Sequence, residues 1–96
     1  MIDVSEGDLK IIKDIFNKHI PGIEVRIFGS RVNGKAKSYS DLDVAVVGNE
    51  ELERHKLIEL KESFAESNLS FRVDVLDWHQ ISNEFRKIIE QNYVVF

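Results

Sequence analysis

The chain has 96 residues, a formal net charge of −4, 43% hydrophobic and 31% charged residues, and no cysteine. That length makes one domain, expected over residues 1–96, with a modest core; the missing cysteines exclude a disulfide framework or a thiolate metal site and fit a reducing compartment. Nucleic-acid affinity rests on Lys and Arg neutralising phosphates, so the acidic balance argues against a chain that wraps DNA or RNA directly, although SRVNGKAK gathers three cations in eight residues.

The opening MIDVSEGDLK carries acids where a signal peptide carries Lys or Arg before an apolar stretch. The apolar runs are too short to span a bilayer, so the expected location is the cytoplasm, with no membrane partner. Leu9, Ile12, Ile15, Phe16 and Ile20 recur at helical spacing. Ser5 and Asp8 suit its start as acceptors for free N–H groups, which predicts a first helix over 5–20. Pro21-Gly22 breaks it.

IEVRIF then alternates, with Ile23, Val25 and Ile27 on one face of a strand. Gly29 ends the strand, and Ser30 is read as the N-cap of a short helical turn. NGKAKSYS forms a loop around Gly34. A second strand is predicted over 41–47, with Leu42, Val44 and Val46 facing one way and Asp41, Asp43, Ala45 and Val47 the other. A charged helix over 50–67 offers Leu57, Leu60 and Phe64 as its apolar stripe, its acidic stretch being a solvated face. LSFRVDVLD alternates again, with Arg72 and Asp74 opposite Leu69, Phe71, Val73 and Val75. A last helix over 79–92 places Ile81, Phe85, Ile88 and Ile89 inward, and YVVF is left as an apolar tail. This order implies a small α/β (α+β) layer, with helices packed on a mixed sheet of three or four strands.

Asp41 and Asp43 project from one face of one strand, where like charges repel unless a cation lies between them. Mg²⁺ prefers carboxylate oxygens and completes its shell with water and substrate phosphates. Asp74 lies on a separate strand, and if the two strands are neighbours three acids converge, enough for two Mg²⁺ ions and for activating a hydroxyl. Gly29 and Ser30 form the other half: Gly admits a ligand close to the backbone, and free N–H groups at a helix start favour phosphate. Arg31 is expected to reach a phosphate oxygen. The combination describes a nucleoside triphosphate site with Mg²⁺. Each part also has a plainer reading: Asp41 as a cap, Asp43 as an edge-strand charge, Asp74 paired with Arg72, Gly34 as a turn residue and Arg31 as a solvated cation. His19, His55 and His79 lack metal-ligand spacing to one another. Trp78, Tyr93 and Phe96 either cover the core or form an apolar patch for a partner, with the patch slightly preferred.

At GSRVNGKAKSYSDLD the sequence resembles the Gly-Ser-x10-Asp-x-Asp signature of the nucleotidyltransferase superfamily that includes DNA polymerase beta. It is more closely similar to the minimal nucleotidyltransferases, the MNT proteins. Ser30 is followed by ten residues and then by Asp41, Leu42 and Asp43. The resemblance spans nearly the whole chain and implies a palm-like fold. It implies transfer of a nucleoside monophosphate from an NTP, AMP from ATP being the expected case, to an acceptor hydroxyl with release of pyrophosphate. Gly29 and Ser30 match the phosphate-binding pair, Asp41 and Asp43 the metal-binding pair, and Asp74 the third acid beside the acceptor, with Asp77 a nearby rival. MNT proteins are often paired with small all-helical HEPN proteins that resemble RNase toxins, and some adenylylate a tyrosine of that toxin. The implied role is thus a Mg²⁺-dependent antitoxin acting on a HEPN partner, within a hetero-oligomer. Two alternatives remain: a non-catalytic module that masks the toxin, and transfer to a small molecule, for which relatives usually carry an acceptor domain that this chain lacks.

Overall fold

The computed structural model describes residues 2–96. Helix α1 spans Glu6–His19, and the Ser5 hydroxyl accepts from the Asp8 N–H, as the cap pattern predicts. Strand β1 (Glu24–Phe28) runs into a single helical turn, α2 (Ser30–Asn33). Strand β2 (Leu42–Val47), helix α3 (Arg54–Ala65) and strand β3 (Val73–Asp77) follow. A 3₁₀ turn (Trp78–Gln80), helix α4 (Asn83–Gln91) and strand β4 (Tyr93–Val95) complete the chain.

The sheet order is β3-β2-β1-β4. β1 pairs antiparallel with both β2 and β4, whereas β2 and β3 are parallel. A parallel pair needs a long crossover, and α3 supplies it. α1 and α3 cover one face of the sheet. Ile12, Phe16, Ile20, Leu60 and Phe64 pack there on Val25, Ile27, Leu42, Val44, Val46 and Val75, with Phe16 edge-on to Phe64 at 5.1 Å between centroids. α4 covers only part of the opposite face, where Phe28, Ala45 and Ile89 are buried beside Leu76 and Phe85. One end of that second face is left to the acids of β2 and β3.

Several expectations are corrected. The apolar tail is a fourth strand: its aromatic and β-branched residues suit a pleated edge, and Phe96 N–H donates to the Val25 carbonyl at 2.9 Å. Alternation along β4 splits the aromatic trio. Phe96 packs toward Phe16, whereas Tyr93 and Trp78 flank the Arg26 guanidinium on the other face. The charged helix starts at Arg54 rather than 50, because Asp77 holds the Leu52 N–H at 2.7 Å and keeps 48–53 as a connection. The last helix is interrupted, since Asp77 caps the 3₁₀ turn and Ser82 caps α4, two starts within six residues. Ile88 is not inward but 60% exposed. Gly29, not Ser30, occupies the N-cap position of α2. Among the described residues no helix is long and apolar enough to cross a membrane.

Candidate active site

The site begins where β1 ends. Gly29 has φ +83°, a conformation that side chains resist, and it turns the chain from β1 into α2. A Cβ built on Gly29 would overlap the Asp43 carboxylate at Oδ2. Glycine is therefore required here by its backbone angle, and a Cβ would also displace the acid packed against it. The first turn of α2 leaves N–H groups without intrahelical partners beside this carboxylate.

β2 provides Asp43, and the sheet register supplies its neighbours. Phe28 of β1 lies opposite Asp43 on one side, and Asp74 of β3 lies opposite it on the other. Because strand side chains alternate, Asp43 and Asp74 project from the face that α1 and α3 do not cover. Asp41 lies one residue before β2, on the same side by alternation. Burial, then the Asp74 carboxylate, then that of Asp41, push the Asp43 pKa above its ordinary 3.8. The three predicted acids thus form one electrostatic cluster with Asp43 at its centre. They do not close into a ready-made cage: among the described residues no three acidic or imidazole side chains form a metal-binding group.

The structure separates Asp74 from its rival. Asp77 is 2% exposed, and its carboxylate accepts from the Leu52 and His79 N–H groups, so it is a structural cap turned away from the cluster. Arg72 approaches Asp74 only loosely, at 3.9 Å, with its side chain 73% exposed. Such a pair contributes little and leaves Asp74 available. A cleft of about 390 Å³ at the outer edge of β3 reaches Asp74 between Lys61, Phe64, Phe71 and Arg72. A larger depression of about 570 Å³, lined by residues such as Glu51, Arg54 and Gln80, holds none of these acids; the chemistry locates the site, not the cavity size.

Arg31 departs from its expected place. It is 6% exposed, and its guanidinium donates to backbone carbonyls of Asp3, Ser38 and Ser40 at 2.8–3.1 Å rather than facing the Gly29–Ser30 bend. Two further residues of this neighbourhood, Ser40 in the signature stretch and Phe71 on the apolar face of its strand, make contacts that the sequence did not reveal. The Ser40 hydroxyl accepts from the Lys37 N–H at 2.8 Å and closes the loop before Asp41, and Phe71 stacks under the Arg31 guanidinium at 4.1 Å. Ser40 had a local signal as a turn residue; the Arg31–Phe71 stack joins residues forty apart in sequence and had none.

Comparison with known proteins agrees with this fold. The family described as "Polymerase beta, Nucleotidyltransferase" matches residues 10–96, so the chain belongs to the polymerase beta nucleotidyltransferase family. It is 48% identical over 94 residues to the "Probable protein adenylyltransferase MntA" of Haemophilus influenzae, covering 98% of this chain and 82% of that protein. A toxin–antitoxin crystal structure with AMP-PNP superposes with a TM-score of 0.75 at 25% identity, covering 90% of this chain and 69% of that one. The spectinomycin 9-adenylyltransferase of Staphylococcus aureus is 50% identical over 54 residues, which cover 53% of this chain but only 20% of that enzyme.

Two outcomes are expected at this site. Gly29→Ala loses about 1–3 kcal/mol of stability in urea unfolding, the usual cost of a side chain held in such backbone angles, whereas Gly7→Ala, in α1 with nothing within 4 Å of its new methyl, gains about 0.5–1 kcal/mol; equal effects contradict the left-handed backbone at Gly29. Asp43 holds its proton more tightly when folded, so its ionised form costs stability above the raised pKa, and that cost fades as pH falls toward 3.8. In chelator, Asp43→Asn therefore melts higher than the wild type at pH 7, with the difference narrowing on acidification, as melting curves across pH 3.5–7 (about that span) will record.

Proposed function

We propose that this chain transfers AMP from ATP to a hydroxyl of a partner protein, a tyrosine of a small all-helical HEPN toxin, and thereby acts as the antitoxin of the pair in the cytoplasm. The observation that carries the proposal is the cluster itself, in which Asp43 packs on Gly29, is flanked in register by Asp74 and follows Asp41 by two residues. The likeness to an adenylyltransferase along 98% of the chain supports the choice of reaction.

Magnesium fits the donor set: hard carboxylate oxygens on one face, with Asp43 carrying unfavourable charge that a cation relieves. Asp41, Asp43 and Asp74 would hold one or two Mg²⁺ ions, which when bound supply charge neutralisation of the triphosphate and orientation of its reacting phosphorus. Two protein carboxylates and substrate oxygens suffice for such an ion, so the open arrangement of the three acids is adequate. The Gly29–Ser30 bend offers backbone N–H groups and a hydroxyl to the phosphates. Asp74, at the mouth of the edge cleft, orients the acceptor hydroxyl and accepts its proton. The acceptor oxygen bonds to the α-phosphorus while the α–β bridge bond breaks, and pyrophosphate leaves with the electron pair. Catalysis of this kind is mostly positioning and charge compensation, within reach of so small a scaffold.

The test is incubation of the purified chain with ATP labelled in the α-phosphate, Mg²⁺ and the protein encoded by the neighbouring gene, the HEPN candidate. Label is expected on the partner, and Asp41→Asn with Asp43→Asn is expected to cut the rate at least about 100-fold, the scale of losing charge stabilisation in a transition state, while still co-purifying with the partner. A double variant that neutralises the toxin as well as the wild type supports masking in place of transfer. Label on spectinomycin with none on any protein supports small-molecule transfer.

A further inference from the structure

We propose that Arg31 is a positioning residue that sets the geometry of the acid cluster from behind, by holding the loop that launches β2. This inference rests on the nucleotidyl-transfer reading for its kinetic consequences only; its structural content stands apart. An arginine directly after a phosphate-binding Gly-Ser pair is expected to point at phosphate, yet this one is 6% exposed. Its Nε and Nη2 both donate to the Ser40 carbonyl, at 3.0 and 2.8 Å. That carbonyl belongs to the peptide group whose nitrogen is Asp41's, so the guanidinium fork fixes the plane from which the first acid of the pair departs. Nη2 also reaches Ser38 at 3.1 Å, and Nη1 reaches Asp3 at 2.8 Å. The Asp3 N–H returns the contact, donating to the Arg31 carbonyl at 2.7 Å.

The other side of the guanidinium is covered by the Phe71 ring at 4.1 Å. Phe71 leads into β3, and the Arg72 carbonyl beside it accepts from the Leu42 N–H at 2.9 Å. One side chain therefore touches the segments that enter β2 and β3, the strands bearing Asp43 and Asp74, while its own backbone continues from Gly29 and Ser30. Among the described residues no carboxylate forms an ion pair with it. A buried cation is tolerated here because carbonyl oxygens take up its N–H groups. The planar fork and the stacking face are properties of a guanidinium, and an ammonium cannot reproduce both.

The test uses Arg31→Lys and Arg31→Ala in the full chain, with two readouts. In hydrogen exchange, amides of residues 37–42 are expected to exchange faster in Arg31→Lys, while those of α1 and α3 keep their protection. In α-labelled ATP transfer to the partner, Arg31→Lys is expected to lose about 100-fold in kcat, the scale of a misplacement near 1 Å, with KM for ATP changed by less than about threefold, the mark of lost alignment in place of lost ground-state binding. Guanidinium at about 20 mM, far below denaturing concentrations, is expected to restore transfer to Arg31→Ala, and methylammonium is not. A raised KM with unchanged kcat makes Arg31 a phosphate ligand and overturns the proposal, as do unchanged exchange at 37–42 or unchanged kcat. Should the wild type transfer no label at all, the proposed function fails, while the exchange readout still decides the role of Arg31.

Discussion

A carboxylate lies where a side chain would otherwise be. Asp43 fills the space beside Gly29 that a Cβ would occupy, and this contact fastens the end of β1 to the middle strand of the acid cluster. Glycine permits both the turn at φ +83° and this close approach, which brings backbone N–H groups into the company of an acid. That company is unfavourable in isolation. Burial and two neighbouring carboxylates make Asp43 costly to ionise, and an arrangement that stores such a cost is characteristic of sites awaiting a charged ligand. In the function proposed above, a cation and a triphosphate bound together would answer both halves, the cation to the acids and the phosphates to the N–H groups.

The rest of the fold reads as the means of holding this junction. β2 is internal to the sheet, between β1 and β3, so Asp43 is flanked on both sides by paired backbone. The parallel pairing of β2 with β3 sets Asp43 against Asp74, and a slip of one residue would turn Asp74 toward the α1–α3 face, into the core. That register is defended by the apolar residues between the acids: Leu42, Val44 and Val75 are at most 2% exposed on the packed face. Asp77, two residues beyond Val75, is used for capping, a reminder that four acids of similar sequence context separate into three for the cluster and one for the scaffold.

Much of this was legible in the sequence because it is periodic or local. The stripe of α1, the alternation of β1 and β2, and the spacing from Gly29 and Ser30 to Asp41 and Asp43 are patterns within twenty residues. What escaped is long-range or context-dependent. β4 reads as a tail because three strand residues carry no alternation signal of their own, and they become a strand only when β1 offers its edge. Ile88 is expected inward because the three apolar residues of α4, Phe85, Ile88 and Ile89, suggest a broad stripe, but α4 covers the sheet partially and only Ile89 is fully enclosed. Arg31 misled for a physical reason: a charged residue beside a ligand site is expected to face the ligand, and nothing local reveals that carbonyls from the 37–40 loop and Asp3 will take up its N–H groups.

The central claim is that the Asp43 cluster takes up a divalent cation and a nucleoside triphosphate as one unit beside Gly29. Calorimetric titration of a non-hydrolysable ATP analogue into the protein, with Mg²⁺ and again in chelator, addresses it without requiring turnover or a partner. The account predicts heat of binding with Mg²⁺ alone among these two conditions, and its loss in Asp43→Asn. Equal uptake with and without the ion, or uptake undiminished by that substitution, would contradict it.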